Sequence, residues 1–141
     1  MALLDSITDA DYRSLAEARY QIRRFLHFSE QAARETGLEP QQHQLLLAVR
    51  GYGQPSIQFL AERLQIQHHS AVGLVDRLVE RGLVLRSRAP SDRRQVQVQL
   101  TARGEAELEK LTACHLAELR ENGPALVDAL KAVIRRTDGR N

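Results

Sequence analysis

Apolar positions along this chain recur with a helical period over most of its length and switch once to a strict alternation. Between Tyr12 and Glu35, Leu15, Ala18, Ile22, Phe25, Leu26, Ser29 and Ala33 fall three and four residues apart, on one face of a long helix. Asp9 or Asp11 is expected to cap its start, and Gly37 to end it. Pro40 suits the first turn of a second helix reaching about Arg50, which Leu45, Leu46, Leu47 and Val49 make apolar over much of its circumference and therefore buried. Gly51-Tyr52-Gly53-Gln54-Pro55 reads as a turn, after which Ser56 caps a short helix from Ile57 to Leu64. Gln65-Ile66-Gln67 leaves room only for a tight connection before a helix from about His68 to Arg81, with Val72, Val75, Leu78 and Val79 on its inner stripe and Gly82 as its stop.

Beyond Gly82 the period becomes two. Leu83 to Ser87 reads as a strand, Ala89 to Asp92 as a loop, and Gln95 to Leu100 as the returning strand of a hairpin. Thr101 caps a further helix from Ala102 to about Asn122, carrying Leu108, Leu111, His115, Leu116 and Leu119 on one side. Gly123-Pro124 is expected to break it, with Leu126, Leu130, Val133 and Ile134 marking a last helix. The pattern predicts a mostly α fold with a small β-hairpin, in which the segment from about 50 to 100 closes a small core of its own. The terminal helices then keep apolar faces with little chain left to cover them. A second copy would cover them in a dimer; the alternative is an intramolecular bundle.

Length and composition narrow the class. With 141 residues, 43% hydrophobic and 27% charged, the chain fits one folded domain over 1–141. It has no apolar run of membrane-spanning length, and Met1-Ala2-Leu3-Leu4-Asp5 lacks the basic start of a secretory signal, so a cytoplasmic protein without a membrane partner is expected. Its single cysteine, Cys114, excludes an internal disulfide and a multi-cysteine zinc site, and no cofactor or metal motif is present. The formal charge of +2 hides a local excess: residues 50–94 hold eight arginines against four acids, between flanks that are close to balance.

That excess coincides with an arrangement suited to duplex DNA. A short helix, a tight turn, a longer helix and a basic hairpin make the plan of a winged helix-turn-helix, whose second helix enters the major groove with its first turn toward the base edges. Gln67, His68, His69 and Ser70 occupy that turn, a run of hydrogen-bonding side chains that core packing does not call for. Ser56 caps the helix before, Gly73 lets the backbone approach closely, and Arg77 can reach a phosphate or a guanine. On the hairpin, Arg86, Arg88, Arg93 and Arg94 surround a thin tip suited to the negative potential of a narrow minor groove. Asp92 would repel phosphate, so it is expected to fix a neighbouring guanidinium and hold the tip in shape.

The run Leu74-Val75-Asp76-Arg77-Leu78-Val79-Glu80-Arg81-Gly82-Leu83-Val84, followed by Ser91-Asp92-Arg93-Arg94 and Leu100-Thr101-Ala102-Arg103-Gly104, resembles the MarR family of bacterial transcriptional regulators. The resemblance implies a homodimer in which helices at about 9–36 and 102–138 form the dimer region and residues from about 40 to 100 form the winged helix-turn-helix. It further implies binding to a pseudo-palindromic double-stranded operator, repression as the usual outcome, and Asp92 and Arg94 as the wing pair with Arg94 in the minor groove. Adjacent histidines such as His68-His69 are not a general feature of that family, so no base preference carries over.

The same resemblance implies response to a small anionic or phenolic effector. On the first helix Tyr20, Arg23, Arg24 and His27 lie opposite the apolar stripe, with Phe28 nearby, and offer an aromatic wall and cations for a carboxylate; the alternative is a solvated or interface face. His43 and His115 read as core or interface histidines, and Cys114 as a packing residue, although a redox-responsive regulator stands as an alternative through that thiol. A winged helix that docks protein is the other alternative. An enzyme is not expected: the histidines form no metal-ligand motif, no phosphate-binding glycine loop occurs, and Ser70 beside His69 is only a neighbour pair.

Overall fold

The computed structural model describes residues 7–138, with side chains through residue 135, so the N-terminal stretch read above as lacking a signal lies outside the described residues. Helix α1 spans Asp9–Glu35, α2 Pro40–Gly51, α3 Ile57–Leu64 and α4 His68–Glu80; strands β1 (Val84–Arg88) and β2 (Val96–Leu100) follow, and α5 runs over Ala102–Asp138. The chain divides into two units, one made of residues 32–113 and the other of the stretches that flank it.

In the middle unit the core comes from every element. Leu45, Leu46 and Val49 of α2, Leu60 of α3, Leu74, Val75 and Leu78 of α4, and Val84 and Val98 of the hairpin are all at most 2% exposed. Leu38, Leu108 and Leu111 belong to the same cluster. The expectation that residues 50–100 close a core alone is therefore corrected. Two short helices and a hairpin expose too much apolar surface, and α2, the last turn of α1 and the first turns of α5 complete the covering. Leu47, at 48% exposed, is the one leucine of α2 outside that core.

Local chemistry sets the ends of the elements. Ser56 caps α3 by accepting from the Phe59 amide at 3.1 Å, and Thr101 caps α5 by accepting from the Gly104 amide at 3.0 Å. At the start of α1 the cap is Thr8, not Asp9 or Asp11. Its Oγ1 accepts from the Asp11 amide at 3.3 Å while Asp11 Oδ2 accepts from the Thr8 amide at 2.8 Å, a reciprocal box that makes Asp11 the partner of the cap. Gly82 leaves α4 at φ +72°, where a Cβ would be strained, and the Leu83 amide then reaches back to the Leu78 carbonyl at 3.0 Å.

The hairpin is antiparallel, with Val84 opposite Leu100, Arg86 opposite Val98 and Arg88 opposite Val96. It starts and ends one residue later in β1 than the alternation predicts. A bridge between Ser56 and Gln97, with the Val98 amide donating to the Pro55 carbonyl at 2.9 Å, pins β2 to the start of α3. A single bridge is too short to leave a period in the sequence.

Helix α5 is continuous through Pro124, which corrects the expected break at Gly123-Pro124 and replaces two C-terminal helices by one. An interior proline costs about 3 kcal/mol because it removes one helical hydrogen bond and crowds the carbonyl four residues back. Here that carbonyl belongs to exposed Arg120, on the solvent side, while Ala129 is buried and Val133 half-buried on the other. Packing of the inner face over so many turns outweighs one lost bond.

Within the flanking unit, Ala18 and Gln21 of α1 are buried and Phe25 and Phe28 half-buried. His115 is half-buried as well, with Nε2 2.7 Å from Ser29 Oγ and its ring edge-on to Phe25 and Phe28 at 6.5 and 5.9 Å. The predicted stripe of α1 splits: Leu15, Ile22 and Leu26 are 53%, 40% and 43% exposed. On α5, Leu116, Leu119, Val127, Leu130 and Ile134 are exposed too.

Candidate nucleic-acid interface

Helices α3 and α4 are joined by Gln65-Ile66-Gln67, and the corner is set by Gln65, which lies in the left-handed region at φ 57°, ψ 45°. The Ile66 amide returns to the Ala61 carbonyl at 3.0 Å, and the Ile66 side chain packs on the core, so the turn is held from both backbone and side chain. A left-handed glutamine costs roughly 1 kcal/mol, and the anchored Ile66 offsets it. No turn residue announces this corner in the sequence.

Gln67 precedes α4, and its side chain makes no cap bond. Gln67, His68, His69 and Ser70 are all exposed, as are Asp76 and Arg77 further along, while Ala71, Leu74, Val75 and Leu78 are buried. One helix thus offers a polar outer face, beginning at its first turn, on a firmly packed inner one. Gly73 is half-buried, and the place a Cβ would take there lies 3.7 Å from the Arg77 guanidinium and near nothing else. Nothing among the described residues requires glycine at this position. Ser56 is half-buried, with its hydroxyl oxygen engaged as the α3 cap.

The eight arginines of residues 50–94 sort into two groups. Arg50 pairs with Glu105 at 3.3 Å, and Arg63 lies over the rings of Tyr52 and Phe59 at 4.9 and 5.2 Å. Arg81 donates to the Gly37 carbonyl and to Gln42 Oε1, both at 2.9 Å, and so clips the α1–α2 turn to the end of α4. Arg86 is paired with Asp76, and Arg88 donates to the Arg93 carbonyl at 2.6 Å. All eight are exposed, and Arg77, Arg93 and Arg94 differ in that their side chains make no hydrogen bond or ion pair with another described residue. Arg86 and Arg88, grouped with the tip arginines in the sequence, are therefore engaged within the hairpin and α4. Strand alternation is the reason: both share the face of Val84, which points inward.

At the tip, Asp92 Oδ1 accepts from the Arg94 amide at 3.0 Å. The expectation that Asp92 fixes a guanidinium is corrected: a short acidic side chain reaches the backbone two residues on more readily than a long cation beside it. With the Gln95 amide on the Asp92 carbonyl and the Ala89 amide on the Gln95 carbonyl, both at 3.1 Å, the loop is held by its own backbone and the Arg93 and Arg94 side chains remain outside.

The first-helix residues singled out as a ligand wall fall along one face of α1 and border two clefts on it. Arg24 turns to Asn122 Oδ1 at 3.2 Å and borders a narrow cleft with Gln21, Phe25 and Leu119. Arg23 and His27 line the other cleft, with Arg19, Ile22, Leu26 and Glu30, and Tyr20 is 58% exposed. Phe28 is turned to His115. Spaced three and four residues apart, the four share an arc of about 100° on α1, but its two edges turn to different neighbours, Arg24 to Asn122 and Arg23 with His27 to Ile22 and Leu26. His43 is 5% exposed. Cys114 is exposed on α5, so its own unit does not pack it.

Residues 36–95 match the sequence model of the MarR family. The repressor CouR, solved on a 23-mer DNA duplex, is 32% identical to this chain, covering 82% of it and 87% of CouR, with a TM-score of 0.62. The chain belongs to the MarR family. CouR from Rhodococcus jostii RHA1, solved with p-coumaroyl-CoA, aligns at 27% identity over 81% of this chain and 80% of its own, with a TM-score of 0.67. AbsC, a MarR family regulator from Streptomyces coelicolor, shares the fold at a TM-score of 0.72 with 20% identity, over 96% and 99% of the two chains. The transcriptional repressor MdtR of Bacillus subtilis is 27% identical over 77 residues, which is 55% of this chain and half the length of MdtR. MarR-family proteins are transcriptional regulators, not enzymes, and the present chain is a regulator of winged helix-turn-helix fold. Among its described residues no helix is long and apolar enough to cross a membrane.

Proposed function

We propose that two copies of this MarR-family chain bind a pseudo-palindromic operator and repress transcription, each placing α4 in a major groove and the hairpin tip in the flanking minor groove. The observation that carries the reading is the sorting of arginines. Five have partners within the middle unit, while the side chains of Arg77, Arg93 and Arg94 have none among the described residues and stand on the same unit as the exposed run Gln67, His68, His69 and Ser70. Base contacts from that run would specify and arginine contacts would position. Dimerisation is supported by the exposed Leu15, Ile22 and Leu26 of α1 and Leu116, Val127, Leu130 and Ile134 of α5, more large apolar side chains than a solvated helix pair carries without a partner.

Titration with duplexes selected by the protein from a random-sequence pool tests this. Saturable binding that falls steeply with salt, and protection of two half-sites about one helical turn, or 34 Å, apart, is the expected result. Salt-insensitive or unsaturable binding, or protection of one half-site, would refute it and favour a protein-docking role.

Gly73 supplies a second check. Gly73→Ala is expected to raise helix stability by about 0.5–1 kcal/mol, since a Cβ meets only the flexible end of Arg77. The same methyl stands where DNA would approach α4, so operator affinity is expected to fall while the melting temperature holds or rises. Unchanged affinity would place the contact surface elsewhere on the helix.

Control by a small anionic or phenolic effector completes the proposal. CouR is a relative solved with p-coumaroyl-CoA, and Arg19 and Arg23, with His27 as a further hydrogen-bonding group, stand beside Ile22 and Leu26 and give α1 cations next to apolar surface. Arg23→Ala should then abolish release of DNA by an effector while leaving DNA affinity unchanged.

A further inference from the structure

The Asp76–Arg86 pair joins α4 to β1. Asp76 lies three and seven residues after Gly73 and His69, so all three share one stripe of α4, the exposed stripe that also begins with the polar first turn. A carboxylate on a surface that meets phosphates would weaken binding unless something takes it up. Arg86 does so from β1. Its direction follows from strand parity: it shares a face with buried Val84 and stands opposite buried Val98, so its stem runs along the inner side of the hairpin toward α4. The side chains are 53% exposed at Asp76 and 33% at Arg86, a rim position where an ion pair adds little to stability. What it restricts is the angle of the hairpin. The bridge from Ser56 to Gln97 pins β2 on one side, and the Asp76–Arg86 pair ties β1 on the other.

We infer that Asp76 is a positioning residue for DNA reading: it holds Arg86, fixes the hairpin against α4, and thereby sets the spacing between the tip arginines and the helix that faces the major groove. Arg86 acts through this pair and not on a phosphate. The inference rests on the DNA-reading function proposed above. Breaking the tie lets the hairpin occupy other angles, and apparent affinity falls with the fraction of protein in the binding arrangement. An exposed pair is worth about a three-fold bias, so the loss is about three-fold per head and roughly ten-fold for a two-headed complex.

The test uses the full chain and the selected duplexes. Affinity is measured at several salt concentrations for wild type, Asp76→Ala, Arg86→Ala, the double variant, and the exchanged pair Asp76→Arg with Arg86→Asp, alongside melting temperatures. The expected result is an equal, roughly ten-fold loss in both single variants and the double, an unchanged salt slope, and recovery in the exchanged pair. The single variants should also lose the preference for A·T over G·C in the minor-groove segment while keeping base preference in the major groove, which a general loss of stability would not do selectively. Tighter binding by Asp76→Ala, with a salt slope in Arg86→Ala lowered by about one per head, would overturn the inference and make Arg86 a phosphate contact. Wild-type affinity in all variants, or losses that track melting temperature alone, would overturn it as well. Failure of the underlying reading is separate, because the wild-type protein would then form no saturable, salt-dependent complex.

Discussion

Gly104→Ala should destabilise the protein by about 3 kcal/mol or more, a large share of the 5–15 kcal/mol typical of a domain. A Cβ built on Gly104 falls 2.1 Å from the Leu83 carbonyl oxygen and 3.1 Å from its carbon, and both are backbone atoms at the buried start of the hairpin. Neither atom can turn aside as a side chain would, so α5 must shift by about 1 Å to restore ordinary contact distances. The shift strains the joint: the Thr101 amide donates to the same Leu83 carbonyl at 3.1 Å, and Thr101 Oγ1 donates to the Gly82 carbonyl at 2.6 Å. It also withdraws Leu108 and Leu111 from the core. Denaturant unfolding of the full chain measures the effect, with Gly51→Ala as a control because nothing lies within 4 Å of a Cβ there. A midpoint for Gly104→Ala equal to that of the control would show that α5 slides freely over the hairpin, contrary to this packing.

The second large effect is on binding. Arg94→Ala should weaken operator affinity by roughly 1–3 kcal/mol, about five- to 150-fold, with the melting temperature unchanged. The Arg94 amide is held by Asp92, the Arg93 carbonyl accepts from Arg88, and the exposed side chain of Arg94 has no place in that scaffold. Its removal therefore leaves the loop intact and takes away a contact made only with DNA. Arg94→Lys should recover the charge but not the full affinity, since a narrow minor groove favours the more weakly hydrated guanidinium. Operator affinity unaltered in Arg94→Ala, measured by anisotropy at fixed salt, would remove the tip from the mechanism.

The sequence conveyed the helix-turn-helix and hairpin well because their signals are local. The Ser56 and Thr101 caps, the stop at Gly82 and the alternation of Val96 and Val98 with glutamines each depend on neighbours within a few residues. Errors cluster where a local signal met a stronger distant one. Pro124 is a helix breaker by propensity, yet it sits inside a helix whose inner face is anchored for many turns. Thr8 displaced Asp9 and Asp11 as the first cap because all three are capable and the reciprocal bond with Asp11 decides among them.

The candidate interface divides in the same way. That residues 50–94 are rich in arginine, and that four polar side chains open α4, follows from counting and period alone. Which arginines are free to meet a phosphate does not, because that depends on partners far along the chain: Glu105 for Arg50, Gly37 and Gln42 for Arg81, Asp76 for Arg86. Helical and strand periods are properties of the backbone and are written in any short stretch of residues. Pairing between charged side chains is settled only after those stretches pack, when three dimensions bring together groups that one dimension holds ten to fifty-five residues apart.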